Sequence, residues 1–447
     1  MNQIQLAYGQ RSVEFSFDEA RFSVVQTNRT PHTPLKDYEV GMAIDDPIAS
    51  PPIDELVSSD DSVLIVVSDA TRATGSAQIV NLLVRRLIQA GVSPARMAVI
   101  FATGIHRPVT EKEKIELLTP FIVQRLRILQ HDAYDKTKLS TFGKTESGVA
   151  VELNSALKEF SRVFLTGGIT FHYFAGFTGG RKSICPGLAS AKTIEATHML
   201  ALDFETGAAT EGRPYNKFNC RGGPPWPPQS QKDVGGRKAG VRAGALDGNA
   251  VHEECERVAA LVEPAFSINT IVDEKKQATR VFTGDWRVAH RAACEYYVEH
   301  FSARIPSKRD IVIVSSGGFP HDINLIQAHK ALDMAALACN DGGTIVLLAE
   351  CSDGLGRPDF LKWFDARDAR ALAARLVNGY EVNGQTAWAL LTKAERFRVC
   401  LVSELPDDEV RRMRMVPVRT IEEALEQAGS GEGFIMPRGA AVLPRIE

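Results

Sequence analysis

Four polar segments of the sequence combine residue types that bind anions or transfer protons. The first, residues 68–72 (SDATR), lies between a predicted strand and a predicted helix, where backbone N–H groups and the helix dipole favour an anion. Within it, Arg72 could bind a carboxylate or phosphate through two hydrogen bonds. Thr71 belongs to the same turn, and Asp69 could hold a ribose hydroxyl or orient Arg72. The alternative is a helix cap with a local ion pair.

Two further segments follow predicted strands. Residues 102–108 (ATGIHRP) contain His106, and a neutral histidine at a strand end is a natural general base, although a surface histidine is the alternative. Residues 315–322 (SSGGFPHD) precede a predicted helix with Gln327 and Lys330, which share one helix face at i,i+3 spacing. That face either points into a cleft or is solvated.

The densest segment is a glycine-rich stretch, residues 167–188, which we call the Gly-rich loop. Glycines let the backbone approach a ligand closely, and Gly179-Gly180-Arg181-Lys182 resembles a phosphate cradle in composition. The spacing is not that of a P-loop, which argues against an ATP site. The predicted helix that follows carries His198, a weak metal signal by itself because no HExxH pattern accompanies it.

The elements that position these segments alternate between strands and helices. Apolar, β-branched runs at 63–67, 97–101, 162–165, 310–314 and 344–348 are each followed by a polar turn or a helical pattern. This alternation predicts an α/β fold with mostly parallel or mixed sheets, whose ligands lie outside the carboxyl ends of the strands. We predict two α/β domains with an active-site cleft between them.

The predicted domains are an N-terminal cofactor-binding domain, residues 1–300, and a C-terminal domain, residues 301–435. The sequence leaves open whether residues 436–447 return to the first domain. Residues 207–244 have no apolar period and are rich in Gly, Pro and basic residues, so we predict a long loop or disordered insertion there.

Composition disfavours several classes of partner. The chain of 447 residues is 44% hydrophobic and 24% charged, with a formal charge of −3, so no basic field favours nucleic acid or an anionic membrane. The longest apolar runs are far shorter than the ~20 residues of a membrane span, and the first residues do not resemble a signal peptide. We therefore expect a cytoplasmic protein. Seven scattered cysteines without a CxxC pair argue against disulfides and a thiolate zinc site.

Taken together, the motifs resemble those of the nickel-dependent lactate racemase family, whose members interconvert the two configurations of 2-hydroxy acids. The long Gly-rich block is the most specific of them. In chain order, the matching segments are SDATR at 68–72, ATGIHRP at 102–108, GGITFHYFAGFTGGRKSICPGLA at 167–189, Thr197-His198, LDGNAVHEE at 246–254, SSGGFPHDINLIQAHKA at 315–331 and LLAECSDGLG at 347–356.

The resemblance implies a cofactor, the nickel pincer nucleotide (pyridinium-3,5-bisthiocarboxylic acid mononucleotide nickel). By motif position, Lys182 matches the lysine that can form a thioamide with it, and His198 matches the protein's nickel ligand. The pincer itself supplies two sulfurs and a ring carbon, so one histidine completes a square-planar site. The residues expected to bind the cofactor are Asp69, Thr71, Arg72, Gly179, Gly180, Lys182 and His198.

The resemblance also implies an isomerase in which His106 and His172 are the catalytic bases. A hydride leaves the substrate carbon while one histidine takes the hydroxyl proton, and the other histidine serves the opposite enantiomer. The expected substrate-binding residues are Arg72, Gln327 and Lys330, and the expected partners are the 2-hydroxy acid and the proteins that build the cofactor. Lactate racemases of the family carry Tyr where Ile326 stands here, so the particular acid stays open.

Two other functions compete with this hypothesis. A nicotinamide-dependent dehydrogenase is disfavoured because no GxGxxG motif follows a strand with an acidic residue downstream. A non-catalytic protein that binds the nucleotide cofactor would need neither His106 nor His172, so the presence of both favours the enzyme.

Overall fold

A computed structural model describes residues 2–27, 33–72, 74–202 and 240–446 of the chain. Its strands, in chain order, are β1 Asn2–Tyr8, β2 Arg11–Phe17, β3 Phe22–Val24, β4 Val63–Ser68, β5 Met97–Ala102, β6 Arg127–Gln130, β7 Leu139–Lys144, β8 Ala150–Asn154, β9 Arg162–Gly168, β10 Phe171–His172, β11 Gly176–Phe177, β12 Phe266–Val272, β13 Ala278–Gly284, β14 Ser302–Ile305, β15 Arg309–Ser315, β16 Cys339–Leu348, β17 Arg398–Val402, β18 Val416–Val418, β19 Gly433–Met436 and β20 Leu443–Ile446.

The α-helices alternate with these strands. They are α1 Asp37–Asp45, α2 Ile53–Leu56, α3 Ser76–Gln89, α4 Glu111–Arg125, α5 Ala156–Glu159, α6 Ala191–His198, α7 Ala250–Ala260, α8 Val288–Phe301, α9 Leu325–Ala338, α10 Ala369–Asn378, α11 Val382–Arg396, α12 Asp407–Arg412 and α13 Ile421–Ala428.

The first sheet has the strand order β13-β12-β9-β4-β5-β6 and is parallel except for the β12–β13 pair. The apolar run of β4 from Val63 to Val67 is fully buried, as expected for a parallel strand covered on both faces. The chain passes from β4 to β5 on one side and later adds β9 on the other. The strand order therefore reverses between β4 and β9, where α/β sheets form a ligand crevice.

The second sheet has the order β18-β17-β16-β15-β19-β3 and is parallel throughout. Helix α9 packs on it and follows β15, as predicted. The two sheets and their helices confirm the predicted α/β class with mostly parallel or mixed sheets.

The amino-terminal residues differ from the domain limits that we predicted. Strand β3 pairs with β19 and so completes the second sheet. The β1–β2 hairpin also packs on that sheet, where Leu6 and Phe15 share a buried cluster with Ile313 and Val346. The sequence had grouped these residues with the first domain, because a three-residue strand gives no sign of its distant partner.

The carboxyl-terminal strand β20 pairs in parallel with β14, the segment that leads into β15. The division into residues 1–300 and 301–435 stays a prediction. Most of the predicted insertion at 207–244 lies outside the described residues, which resume at Gly240. Among the residues described, no helix has the length and apolar character needed to cross a membrane.

Candidate active site

Asp69 and His106 meet at the carboxyl edge of the first sheet. Ser68 at the end of β4 lies opposite Ala102 at the end of β5, so the residues that follow the two strands are neighbours. His106 Nδ1 lies 2.7 Å from Asp69 Oδ2. The other carboxylate oxygen accepts hydrogen bonds from the N–H and the hydroxyl of Thr71, at 2.8 and 2.6 Å. The sequence had left Asp69 to bind ribose or Arg72, and the structure gives it His106 instead.

The electrostatics of this pair favour an ionised carboxylate. Asp69 is 4% exposed. Burial alone would raise its pKa, but the hydrogen bonds from His106 and Thr71 hold the pKa below its ordinary value. An ionised carboxylate can only accept, so Nδ1 of His106 carries the ring proton and Nε2 keeps its lone pair. The His106 side chain is 45% exposed, which leaves Nε2 accessible to a substrate hydroxyl.

His172 belongs to the short β10–β11 hairpin within the Gly-rich loop. Its Nδ1 accepts a hydrogen bond of 3.2 Å from the N–H of Ala175, so the proton of the neutral ring lies on Nε2. Burial first, and then the positive charges of Lys182 and Arg72, hold the pKa of His172 well below 6.5. The charge of Lys330 acts in the same direction.

Phe174 is the centre of this cluster. Its ring is 4.5 Å from the His172 ring and 5.0 Å from the His198 ring, edge to face in both cases. Lys182 Nζ lies 5.5 Å from the same ring centre. One buried phenyl ring thus separates three predicted site residues. Phe174 was not predicted to have a role, although its position two residues after His172 was a signal that could have identified it.

Helix α6 delivers His198 to the cluster. The helix begins at Ser190, whose hydroxyl accepts a hydrogen bond from the N–H of Thr193. At the other end, His198 Nδ1 bonds the carbonyl of Ile194 at 2.9 Å, which leaves Nε2 as the unprotonated nitrogen. Burial and the charge of Lys182 lower the pKa of His198 to about 3, so the ring is neutral. Tyr380 covers it from the second sheet's side of the molecule, with ring centres 6.5 Å apart.

Lys182 is partly buried in the 3₁₀ turn 180–183. Burial lowers its pKa to about 7, with further lowering by the charges of Arg181 and Arg72. This lowered pKa favours a neutral, nucleophilic amine near neutral pH. The other lysine of this region, Lys192, is exposed on α6.

The second unit contributes Gln327 and Lys330 from the first turns of α9. The helix begins at Asn324, whose side chain accepts a hydrogen bond from the N–H of Gln327. Lys330 Nζ donates to Gln327 Oε1 at 2.6 Å. Burial and the nearby charge of Arg72 lower the pKa of Lys330 to about 8. The predicted i,i+3 pair therefore faces the first sheet's residues rather than solvent.

Aromatic contacts also join the two units, since the Tyr173 ring packs against the His329 ring at 4.9 Å. Arg72 is exposed, and among the described residues its guanidinium makes no hydrogen bond. The predicted substrate-binding residues Arg72, Gln327 and Lys330 thus lie beside the histidine cluster. No role had been predicted from the sequence for His329 or Tyr173.

Gly179 and Gly180 serve the packing of the loop. A side chain on Gly179 would meet Ile169 at 2.6 Å, and one on Gly180 would meet the ring of His290 at 2.6 Å. The N–H of Gly180 donates to Asn269 Oδ1 at 3.0 Å. In this arrangement these glycines hold the loop close to β12 and α8, and the N–H of Gly180 is not free for a phosphate.

Metal-binding capacity in the described part of the chain is limited. No group of three or more His, Cys, Asp or Glu side chains there could hold a metal ion. His198 offers one unprotonated nitrogen, so any metal at this position needs further ligands from a bound molecule.

Fold and site together define an α/β enzyme whose imidazoles and basic side chains converge at the switch point of its first sheet. The models of the lactate racemase N-terminal and C-terminal domains match residues 8–210 and 305–442. The lactate racemase of Lactiplantibacillus plantarum is 31% identical over 98% of this chain and 99% of its own length. That of Thermoanaerobacterium thermosaccharolyticum is 27% identical over the full length of both chains.

A solved structure, the lactate racemase apoprotein from T. thermosaccharolyticum, superposes with a TM-score of 0.85 at 26% identity, covering 99% of this chain and 100% of that one. A Thermotoga maritima protein shares the fold, with a TM-score of 0.63 at 16% identity over 94% of this chain and 100% of that one. The chain belongs to the lactate racemase family. It is an isomerase with racemase function.

Proposed function

We propose that the protein racemises or epimerises a 2-hydroxy acid with the help of a nickel pincer nucleotide. The observation that carries the proposal is the convergence of Arg72, Lys182 and Lys330 on His172 from both units of the fold. The groups with the largest effect on His172 are all basic, so a bound carboxylate would supply the missing negative charge. A small hydroxy acid has this carboxylate one bond away from its reacting carbon.

In this proposal Arg72 and Lys330 hold the substrate carboxylate. Arg72 has its hydrogen-bonding fork available, and Gln327 orients the Lys330 ammonium. His106 takes the hydroxyl proton of one enantiomer through Nε2, with Asp69 stabilising the charged ring that results. His172 faces the opposite side of the substrate and serves the other enantiomer.

The residues present fit the implied cofactor. His198 presents an unprotonated Nε2 with its other nitrogen fixed by a backbone carbonyl, which is the usual arrangement of a histidine ligand. Burial lowers the pKa of Lys182 to about 7, and its Nζ lies 5.5 Å from the Phe174 ring centre, which suits the amine to covalent attachment beside His198. We propose His198 as the nickel ligand and Lys182 as the attachment point, with Asp69, Thr71 and Arg72 lining the nucleotide site. Gly179 and Gly180 hold the loop that carries Lys182 against β12 and α8.

When bound, the cofactor would accept a hydride from the substrate carbon and return it to either face. The protein's part is to place that carbon between two imidazoles and to move the hydroxyl proton in step. Loss of the α-hydrogen with its electron pair, coupled to transfer of the hydroxyl proton to a histidine, would avoid direct removal of the α-proton, which would place a second negative charge next to the carboxylate. We propose that the partners of this protein are the proteins that build the cofactor. We also propose that it acts in the cytoplasm.

The proposal is tested on protein made together with the cofactor-building enzymes. We expect one nickel per chain by elemental analysis, an increased intact mass, and turnover of at least one acid in a panel of 2-hydroxy acids. Nickel and the mass increase without turnover of any acid would favour a binding protein. Turnover that depends on added nicotinamide nucleotide would favour a dehydrogenase.

Two residue assignments can be separated in the same preparation. Lys182→Ala should lose the mass increase, whereas Lys192→Ala should keep it, because only Lys182 lies in the Gly-rich loop. His198→Ala should lose nickel without loss of folding. An unchanged adduct in the Lys182 variant, or full nickel occupancy in the His198 variant, contradicts the respective assignment.

A further inference from the structure

Arg181, which neighbours Lys182, is a deeply buried charged side chain of the Gly-rich loop. It is 1% exposed. Its guanidinium donates to the Ala175 carbonyl at 2.7 Å through Nη2 and to the Gly179 carbonyl at 3.4 Å through Nη1. The Arg181 side chain therefore connects Ala175, in the β10–β11 hairpin that carries His172, with Gly179, which lies just before Lys182.

Within the described residues, Arg181 has no carboxylate within ion-pair distance, and its Nε is buried without a hydrogen-bond partner. A buried charge without a counter-ion is costly to folding. A neutral amide could donate to the same two carbonyls at a smaller desolvation cost. The cost of the unpaired charge therefore indicates that the charge itself has a use.

The third partner of Arg181 is a histidine. Nη1 lies 3.0 Å from Nε2 of His290, a buried residue of α8. Because a guanidinium can only donate, Nε2 is the acceptor and the ring proton lies on Nδ1. The Cys294 sulfur lies 3.5 Å from Nε2 and 3.9 Å from Nδ1. The Thr178 carbonyl, also 3.0 Å from Nε2, then receives no proton from this ring.

We propose that Arg181 and His290 are positioning residues for Lys182. His290 accepts the hydrogen bond that fixes the guanidinium, and the guanidinium fixes the loop and places a permanent positive charge beside the amine. The inference rests on the proposed role of Lys182 as the attachment point. In its support, the charge of Arg181 adds to burial in lowering the pKa of Lys182.

The first test uses the full-length chain made without the cofactor-building enzymes. Nitrogen-15 NMR of labelled histidine should show the His290 proton on Nδ1 in the wild type and on Nε2 in Arg181→Gln, because the freed ring can then donate to the Thr178 carbonyl. Arg181→Lys should keep the proton on Nδ1. The same tautomer in the wild type and in Arg181→Gln would overturn the proposed contact.

The second test measures how fast acetic anhydride acylates Lys182 at pH 7, by peptide mass spectrometry, with exposed Lys192 as the internal standard. Arg181→Gln should slow acylation about fivefold, which a rise of one pKa unit from about 7 produces. Arg181→Lys should restore part of the rate, and Arg291→Gln, which removes an exposed arginine of α8, should leave it unchanged.

An unchanged Lys182 rate in folded Arg181→Gln would overturn the positioning role. If neither Arg181 variant folds, His290→Phe decides, since it removes the acceptor and should slow acylation, whereas an unchanged rate overturns the proposal. Neither readout depends on the cofactor. A missing adduct in the cofactor-loaded enzyme would therefore count against Lys182 as attachment point and not against the role of Arg181.

Discussion

The two histidines proposed for proton transfer occupy opposite surroundings. His106 is half-exposed and bonds an ionised carboxylate at 2.7 Å. His172 is partly buried among basic groups and accepts a backbone N–H. The first surroundings stabilise a charged ring, and the second disfavour it.

Because of this difference, the two neutral rings carry their proton on different nitrogens. His106 carries its proton on Nδ1 and offers a bare Nε2, whereas His172 carries its proton on Nε2. As they stand, one ring is prepared to accept a proton and the other to donate one. A racemase needs one of each in either direction, so His172 must exchange its proton before it can act as the base.

The largest expected effect comes from removing either ring. His106→Ala and His172→Ala should each lower racemisation by about 10²- to 10⁴-fold, the usual contribution of a positioned proton-transfer group. Each variant should still show a single-turnover absorbance change in stopped flow with one enantiomer only, and the enantiomer should differ between the two. Identical behaviour towards both enantiomers in both variants would contradict the opposed arrangement. His300→Ala, on the far end of α8, is the matched control.

A smaller loss is expected when the partner of His106 is changed. Asp69→Asn removes the ionised acceptor and allows the wrong tautomer of His106, so racemisation should fall roughly 10²- to 10³-fold. The kcat/KM values of the two enantiomers must fall by the same factor, because the equilibrium constant between them is unchanged. Thr71→Val removes one hydroxyl bond to the same carboxylate and should cost less than tenfold. Single-turnover absorbance changes measured with each enantiomer separately test the assignment to His106. Equal slowing with both enantiomers in Asp69→Asn would contradict different roles for the two histidines.

Part of this site could be read from the sequence, and part could not. Strand ends and glycine content were enough to single out Asp69, His106 and Lys182, because parallel strands bring their carboxyl ends to one edge. The pairing of Asp69 with His106 needed the register of β4 and β5, which no local pattern encodes. His290 packs against Gly180 although more than a hundred residues separate them in the sequence. The sequence therefore suggested that Gly180 faces a ligand, whereas it faces the imidazole ring of His290.

The pH dependence of substrate capture should separate the carboxylate-binding residues from the histidines. Lys330 is charged below its pKa of about 8 and loses its charge above it, so kcat/KM should fall with rising pH above about 8, up to tenfold per pH unit. Lys330→Arg stays protonated and should move this limb upward by at least one unit. Lys192→Arg should not move it. An unchanged limb in Lys330→Arg would assign the titration to another group.

The smallest expected effect is a loss of stability when a glycine is replaced in the Gly-rich loop, which carries His172 but not His106. Gly179 and Gly342 have nearly the same backbone angle, φ of +76° and +77°, but a side chain on Gly179 would meet Ile169 at 2.6 Å, while nothing lies within 4 Å at Gly342. Gly342→Ala should cost about 1 kcal/mol for its conformation alone. Gly179→Ala should cost about 1–3 kcal/mol more, because Ile169 must shift and because Gly179, with ψ of −176°, lies in a backbone region that only glycine adopts readily. Urea unfolding with unchanged slopes measures both. Equal losses would mean that the loop yields easily, and the rigidity ascribed to the surroundings of His172 would then be wrong.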